Sequence, residues 1–174
     1  LAKDPHSAPL HRKSAHMAYQ NRAAIQMRRA RAYALGTTFV YDLVDALRQA
    51  LRKLYTTPNA PSDPVRVAEE LTLDEHEKLI TIKRPAASNK IGMVGWRVVI
   101  QTPEYPEGRP LMVVANDVTH HAGSFGPAED AFFASVAKEA RMTGTPLLYV
   151  SSNSGARIGL ATEPMDLFKA KFTQ

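Results

Sequence analysis

The 174-residue chain contains no cysteine. This absence excludes disulfide bonds, a cysteine nucleophile and any zinc site built from thiolates, and it leaves the cellular compartment open. Long apolar runs are also missing, since none approaches the roughly eighteen residues of a membrane-spanning helix. Apolar residues nevertheless make up 44% of the sequence, so we expect a folded domain with its own core.

Three glycine motifs of common catalytic and nucleotide-binding sites are absent as well. The chain has no Gly-x-x-x-x-Gly-Lys-Ser/Thr loop and no Gly-x-Gly-x-x-Gly spacing. Ser154 lies outside the Gly-x-Ser-x-Gly pattern of a nucleophile elbow. The sequence starts at Leu1 and shows no signal-peptide pattern, and we interpret it as a segment of something larger.

Positive charge is concentrated at the start of the chain. Residues 1–55 hold ten Lys and Arg against three Asp and Glu. Such a segment is able to meet nucleic acid, a membrane surface or a phosphorylated ligand. We favour a solvated helix face, because no stacking aromatics are interleaved with the basic residues. The basic residues in question are Arg12, Lys13, Arg22, Arg28, Arg29 and Arg31.

The first third of the sequence predicts mainly helices. Ser14 is placed to cap a helix that ends before Gly36, with an apolar face formed by Ile25, Met27, Ala30, Tyr33 and Ala34. Residues 37–41 are rich in β-formers. Asp42 then caps a second helix with a leucine stripe at Leu43, Leu47, Leu51 and Leu54, which we assign to the core. Residues 56–64 form a linker, and Asp63-Pro64 suits the start of a short helix.

From residue 70 onward the pattern is that of strands joined by turns. Residues 71–82 predict a hairpin around a polar turn at 74–77, and residues 93–101 and 111–115 predict strands joined through a Pro- and Gly-rich turn. Trp96 is assigned to the core. A helix starts at Pro127 and ends at Gly144, with Glu129 and Asp130 in its first turn as complements to the helix dipole.

The most informative stretch is residues 146–159, which read as a short apolar strand, a small polar turn and a helix opening near Ala156. Backbone N–H groups at such a turn are able to hold an anion or an oxygen that becomes anionic. Gly155 permits close approach, and Arg157 brings a fixed charge. A mere strand-to-helix turn is the alternative. Gly123 and Gly126 form a second glycine turn after an earlier strand, which favours a shared pocket at the carboxyl ends of two strands.

Several motifs in order resemble the carboxyltransferase domain of eukaryotic-type multidomain acetyl-CoA carboxylases. They are GMVGWRVVIQTPEYPEGR at 92–109, NDVT at 116–119, GSFGPAED at 123–130 and SNSGARIGL at 152–160. GTTFVYD at 36–42 and RQAL at 48–51 are similar to the lead-in of the same family. The resemblance extends from about Gln20 to the end of the chain.

The resemblance implies an α/β fold of the crotonase-like type, built from repeated β-β-α units, of which this chain covers part of the N-terminal half. It implies an irregular lead-in at 1–19, a helical lead-in at 20–62 and the truncated N-terminal part of the carboxyltransferase domain at 63–174. The implied reaction moves the carboxyl group of carboxybiotin to acetyl-CoA and forms malonyl-CoA for fatty acid synthesis.

The resemblance also implies residue roles. Gly155 and Ala156 correspond to the catalytic backbone donors to the thioester oxygen, and Arg157 corresponds to an arginine that contacts CoA. Gly123, Ser124, Phe125 and Gly126 correspond to the neighbouring wall of the CoA site. A structural ion pair is the alternative for Arg157, and a simple turn is the alternative for 123–126. No metal site is expected, because the adjacent His120 and His121 point to opposite sides of an extended segment.

Cofactors and partners follow from the same resemblance. Biotin arrives as carboxybiotin on a carrier domain, whereas ATP and a divalent metal serve only the biotin carboxylase domain of the parent enzyme. The expected partners are acetyl-CoA, the carrier domain and a second copy in a homodimer, with neither nucleic acid nor membrane. The expected compartment is the cytoplasm, with the plastid as the alternative.

Other functions stay open from the sequence. The chain is expected to lack turnover by itself, and a non-catalytic remnant or interaction module with the same fold is the alternative function. Propionyl-CoA is an alternative substrate within the enzyme class.

Overall fold

Five strands form one sheet in the computed structural model, which describes residues 24–56 and 60–157. The strands are β1 (Val65–Leu73), β2 (Leu79–Ile82), β3 (Met93–Thr102), β4 (Tyr105–Asn116) and β5 (Leu147–Val150). Their order across the sheet is β2-β1-β3-β4-β5. All neighbours are antiparallel except β4 and β5, which run parallel because the helix between them returns the chain to the starting edge.

Helices cover both faces of this sheet. α1 (Ala24–Ala34) and α2 (Leu43–Leu54) lie on one face, and α3 (Pro127–Thr143) lies on the other. Side chains of the central strands point alternately to the two faces, so the sheet has a hydrophobic core on each side. Val94, Trp96 and Val98 pack toward α1 and α2. Met93 packs on the other face with Phe132 of α3. The mixed α/β class predicted from the sequence is confirmed.

Most of the elements predicted after residue 70 are present. The β1–β2 hairpin turns at residues 74–77, where the Asp74 carboxylate accepts hydrogen bonds from the backbone N–H groups of His76 and Lys78, each 2.9 Å long. Trp96 is buried in β3. α3 starts at Pro127, and Gly144 ends it in the left-handed conformation at φ +63°. The predicted parallel relation of the two strands that precede the glycine turns is confirmed as β4 and β5.

Three predictions around the first helices are wrong. Residues 37–41 form no strand, because Val40–Asp42 closes a 3₁₀ turn that buries Phe39 and Val40 under α1 and α2. Asp42 precedes α2 but makes no side-chain cap, since both of its oxygens accept hydrogen bonds from Arg29. Asp63-Pro64 begins a strand rather than a helix, and the Asp63 carboxylate accepts a hydrogen bond from the Val65 N–H.

The turn between β3 and β4 is also shorter than predicted. Only Pro103 and Glu104 separate the two strands, so Pro106 and Gly108 lie within β4. Proline is tolerated there because β5 pairs with β4 only at Met112–Ala115, which leaves the other edge of the 105–110 segment open.

α1 packs through a different face from the predicted one. The sequence places Met27 and Tyr33 on the apolar face, yet these side chains are 55% and 84% exposed. Ile25 of the predicted face does pack against the core, but its packed neighbours are Arg28 and the fully buried Ala32, neither of which the sequence predicts on that face. An arginine on the buried side breaks the apolar stripe, which is why periodicity misses this face. Ser14, the predicted cap, lies outside the described residues.

Arg28 explains part of the basic start of the chain. Its guanidinium pairs with the fully buried carboxylate of Asp117, and it donates hydrogen bonds to the Thr119 hydroxyl at 2.8 Å and to the Ala87 carbonyl at 2.5 Å. Asn89 donates to the same carboxylate at 2.8 Å. The favoured interpretation of a solvated face is therefore wrong for this arginine, which holds α1 to the end of β4.

No helix among residues 24–56 and 60–157 has the length and apolar character to cross a membrane.

We predict that Arg28→Ala lowers the free energy of unfolding of the chain by about 3 kcal/mol, because it leaves the Asp117 carboxylate buried without its cation. Urea unfolding is the measurement. Arg31→Ala on the exposed side of the same helix is the matched control and should change stability by about 0.5 kcal/mol or less. Equal effects of the two substitutions would contradict the assigned role of Arg28.

Candidate functional site

Two loops meet beyond the carboxyl ends of β4 and β5. Because these strands are parallel, the segments that follow them leave the same edge of the sheet. Phe125 and Ala156 form a parallel bridge, in which the Phe125 N–H donates to Gly155 at 3.0 Å and the Arg157 N–H donates to Phe125 at 2.8 Å. The structure thus brings together the two glycine turns that the sequence predicts as one site.

Ala156 is extended in this bridge and does not open a helix. The prediction of a helix start at Ala156 is wrong for residues 156 and 157, because bridging to Phe125 requires extended backbone. Residues after 157, including Gly159, lie outside the described residues. As far as Arg157, the N–H groups at this point therefore belong to extended backbone and not to a helix N-terminus.

The backbone donors at 155 and 156 differ in their partners. The Gly155 N–H donates to the Asn153 side-chain oxygen at 2.9 Å. The Ala156 N–H donates to no acceptor within the part of the chain that the structure describes. Both residues are exposed, and Gly155 has φ +89°, which a glycine adopts without strain. At the bridge, Ala156 therefore has a backbone donor without an acceptor among residues 24–56 and 60–157.

The first loop contains a left-handed turn of three residues. His121, Ala122 and Gly123 have φ values of +46°, +54° and +66°. Left-handed backbone costs an L-residue roughly 1–2 kcal/mol, so two strained side-chain-bearing residues are retained next to the candidate site. Gly123 is required for a second reason, because a β-carbon there would lie 2.4 Å from the Ser152 carbonyl oxygen.

Asn116 fastens the two loops to each other. Its side-chain amide donates to the Gly123 carbonyl at 3.0 Å, and its oxygen accepts hydrogen bonds from the Tyr149 hydroxyl at 2.6 Å and from Asn153 at 3.1 Å. Since Asn153 in turn accepts from Gly155, one chain of hydrogen bonds runs from the end of β4 to the candidate donor loop.

Arg157 makes a salt bridge with Glu129. Its Nη2 atom lies 3.1 and 3.2 Å from the two Glu129 carboxylate oxygens, and its Nε atom donates to the Ser124 hydroxyl at 3.3 Å. The Arg157 side chain is 19% exposed and that of Glu129 only 2%. The ion pair that the sequence leaves open as an alternative is thus present, and it occupies one of the two terminal nitrogens of the guanidinium.

Glu129 also accepts two backbone hydrogen bonds. The Gly92 N–H donates at 2.7 Å and the Gly126 N–H at 2.9 Å, the latter closing one half of a capping box at the start of α3. Burial alone would raise the pKa of Glu129, but these donors and the charge of Arg157 hold its pKa below the ordinary value. The sequence assigns this residue only to the helix dipole. The position of Glu129, three residues after Gly126 at the helix start, is the signal for its hydrogen bond to the Gly126 N–H, but it does not reveal the burial of the carboxylate.

The predicted wall of the site is mostly inside the protein. Gly123, Ser124 and Gly126 are buried, and Phe125 is half-buried. The Ser124 hydroxyl donates to the His121 carbonyl at 2.8 Å. These residues support the exposed loop at 155–156. Gly126 has no side chain, so the Arg157 guanidinium packs directly against its backbone.

The rings of His120 and His121 pack edge to face, with centroids 4.7 Å apart. The prediction that these side chains point to opposite sides of an extended segment is therefore wrong, because His121 has left-handed backbone at φ +46°. Burial lowers the pKa of His120, and the neighbouring His121 acts in the same direction. Among the residues that the structure describes, no three His, Cys, Asp or Glu side chains are grouped as metal ligands.

Comparison with known proteins gives a consistent set of relatives. A family model described as the carboxyl transferase domain matches residues 103–174, which include both loops. The acetyl-CoA carboxylase of Saccharomyces cerevisiae is 43% identical over 148 residues, which are 83% of this chain and 7% of that protein. The Schizosaccharomyces pombe enzyme is 44% identical over 156 residues, 86% of this chain and 7% of its own length.

A plant relative extends the match. Acetyl-CoA carboxylase 2 of Oryza sativa subsp. japonica is 39% identical over 177 residues, which cover 95% of this chain and 8% of the relative. The chain therefore spans less than a tenth of the length of the curated relatives that it matches.

We predict a large effect at one position of the left-handed turn and a small effect at its neighbour. Gly123→Ala should lower the free energy of unfolding by about 2 kcal/mol or more, because the new β-carbon meets the Ser152 carbonyl and φ is positive. Ala122→Gly relieves strain at φ +54° and should change stability by less than about 1 kcal/mol. Chemical denaturation checks both, and a tolerated Gly123→Ala would contradict the close contact between the loops.

Proposed function

This chain belongs to the acetyl-CoA carboxylases, in the region of their carboxyltransferase domain, and we propose that it forms the CoA side of that active site. The proposed reaction is transfer of the carboxyl group of carboxybiotin to the acetyl carbon of acetyl-CoA, which gives malonyl-CoA. The observation that carries the proposal is the N–H of the exposed residue Ala156, which has no acceptor among the described residues and lies on a loop that the Phe125 bridge holds in place.

The chemistry requires a donor of this kind. Removing a proton from the acetyl methyl group moves negative charge onto the thioester oxygen. A backbone N–H fixed in place stabilises that oxygen without reorganisation, and loss of one such donor typically raises a barrier by about 3 kcal/mol. In this proposal Ala156 donates first, and Gly155 becomes the second donor when Asn153 releases its N–H.

Carboxybiotin is a second substrate of the proposed step, delivered on a carrier domain. Its ureido group supplies the carboxyl group and accepts the proton. We assign no described residue to biotin, and the proposed contribution of this chain is restricted to the acetyl-CoA side.

Arg157 is the proposed contact to a phosphate of CoA. Its Nη2 atom donates to Glu129 and its Nε atom donates to Ser124. Its Nη1 atom makes no hydrogen bond to the described residues and is the proposed donor to the phosphate. A guanidinium suits phosphate because its planar donors match the oxygens. The crotonase-like architecture is part of the same proposal, and β3, β4 and α3 followed by the parallel β5 support one β-β-α unit of it.

We predict that saturating acetyl-CoA raises the melting temperature of the chain. A ligand at one hundred times its Kd that binds only the folded state adds about 2.7 kcal/mol of stability. Thermal unfolding with and without acetyl-CoA is the measurement, and free acetate is the control ligand. A cooperative melt with no shift would favour a non-catalytic module. If the chain shows no cooperative melt, the same comparison with and without acetyl-CoA is made on the full-length carboxylase.

We predict that Arg157→Ala in the full-length carboxylase raises the KM for acetyl-CoA, because the phosphate contact is lost. Steady-state kinetics with acetyl-CoA varied is the measurement. Arg109→Ala removes an exposed arginine of β4 and serves as the control for loss of one positive charge. Unchanged kinetics for Arg157→Ala would exclude Arg157 as a CoA contact.

A further inference from the structure

Glu129 is a buried acid that the proposed reaction does not use. Its carboxylate is 2% exposed, and each of its oxygens accepts one backbone N–H and faces Arg157 Nη2. A carboxylate so surrounded has no free position for a substrate proton. Its contacts instead join three segments: the start of β3 through Gly92, the start of α3 through Gly126 and the donor loop through Arg157.

The room for this carboxylate is made by two glycines. A β-carbon at Gly92 would lie 3.2 Å from a Glu129 oxygen, and one at Gly126 would lie 2.7 Å from Arg157 Nη1. Both glycines have negative φ values that other residues also adopt, so conformational freedom does not account for them. Glycine is needed at both positions because the Glu129–Arg157 pair lies too close to the backbone to leave room for a side chain.

The pair acts next to the Ala156 peptide. Arg157 is attached to the segment 124–129 in two ways, by its backbone N–H to the Phe125 carbonyl and by its guanidinium to Ser124 and Glu129. In a parallel bridge the partner Phe125 bonds to the residues on either side of Ala156, so the N–H of Ala156 points away from Phe125. The direction of this N–H therefore depends on how firmly Arg157 is held.

From this geometry we propose that Glu129 is a positioning residue of the carboxyltransferase site, which fixes the Ala156 N–H toward the thioester oxygen by anchoring Arg157. The inference rests on the proposed function and adds a residue to it. Glu129 touches no substrate. Its effect falls on kcat, because a donor displaced by about 1 Å loses transition-state stabilisation. The KM changes less, because Arg157 retains its charge and Glu129 pairs with its Nη2 atom, not with the Nη1 atom proposed for the CoA phosphate.

The test is Glu129→Gln in the full-length carboxylase, with acetyl-CoA varied in the carboxyltransferase assay. The amide retains the size of the side chain but removes the charge that anchors Arg157. We expect kcat to fall about 10- to 100-fold and the KM for acetyl-CoA to change by about 2-fold or less. Titration of CoA by calorimetry counts the folded binding sites, so a smaller fraction of folded enzyme is not mistaken for a lower kcat.

The matched control is Asp130→Asn, which removes the same charge from the adjacent, exposed position of the first turn of α3. It should leave kcat and KM unchanged. A kcat for Glu129→Gln equal to that of the control overturns the inference, and so does a rise in KM with unchanged kcat, which would place Glu129 in CoA binding.

Arg157→Lys tests the same link if Glu129→Gln yields no folded enzyme. A single ammonium retains the charge but does not contact Glu129 and Ser124 together. We expect a lower kcat with a smaller rise in KM than Arg157→Ala gives, and a wild-type kcat would overturn the inference. An unmodified carboxylase without acetyl-CoA-dependent turnover would overturn the proposed function itself, which distinguishes the two failures.

Discussion

The buried carboxylate of Glu129 is the interaction on which the arrangement of the site depends. A charged group at this depth is stable only when it is paired and hydrogen-bonded, and here two peptide N–H groups and one guanidinium meet that need. Each of these three donors belongs to a different segment. The cost of burying one negative charge thereby becomes a geometric constraint that fixes β3, α3 and the loop after β5 relative to one another.

A second buried acid, Asp117, constrains the opposite face of the sheet through Arg28 of α1. The two acids are linked through one residue, because the Gly92 N–H donates to Glu129 and the Gly92 carbonyl accepts from the Asp117 N–H at 2.8 Å. The helical lead-in and the donor loop are therefore joined by a short path of polar contacts through the sheet. This explains why arginines from two distant parts of the sequence both point inward.

The sequence predicts those parts of the fold where local rules and tertiary packing agree. The β1–β2 hairpin, β3 and the limits of α3 all combine a clear period with strong turn or cap residues. Prediction fails where a distant partner decides: Arg28 on the packed side of α1, Asp42 taken by Arg29, and Ala156 bridged to Phe125. Resemblance to a family identifies the loop of the site. It does not reveal the burial of Glu129, because an acidic residue in the first turn of a helix is also expected when its side chain is solvated.

The parallel pairing of β5 with β4 has a consequence for the order of folding. β1–β2 and β3–β4 are hairpins, and β3 reaches its place beside β1 through the connection at 83–92. β5 pairs with β4 over four residues and only after the whole of α3 has been traversed. The antiparallel strands have shorter loops to close, so we expect them to form first. The antiparallel part of the sheet is able to form before the candidate site does, since the bridge to Phe125 and the ion pair with Glu129 are made by Ala156 and Arg157, which follow β5 in the chain. The docking of one short strand is therefore the event that brings the two glycine loops together.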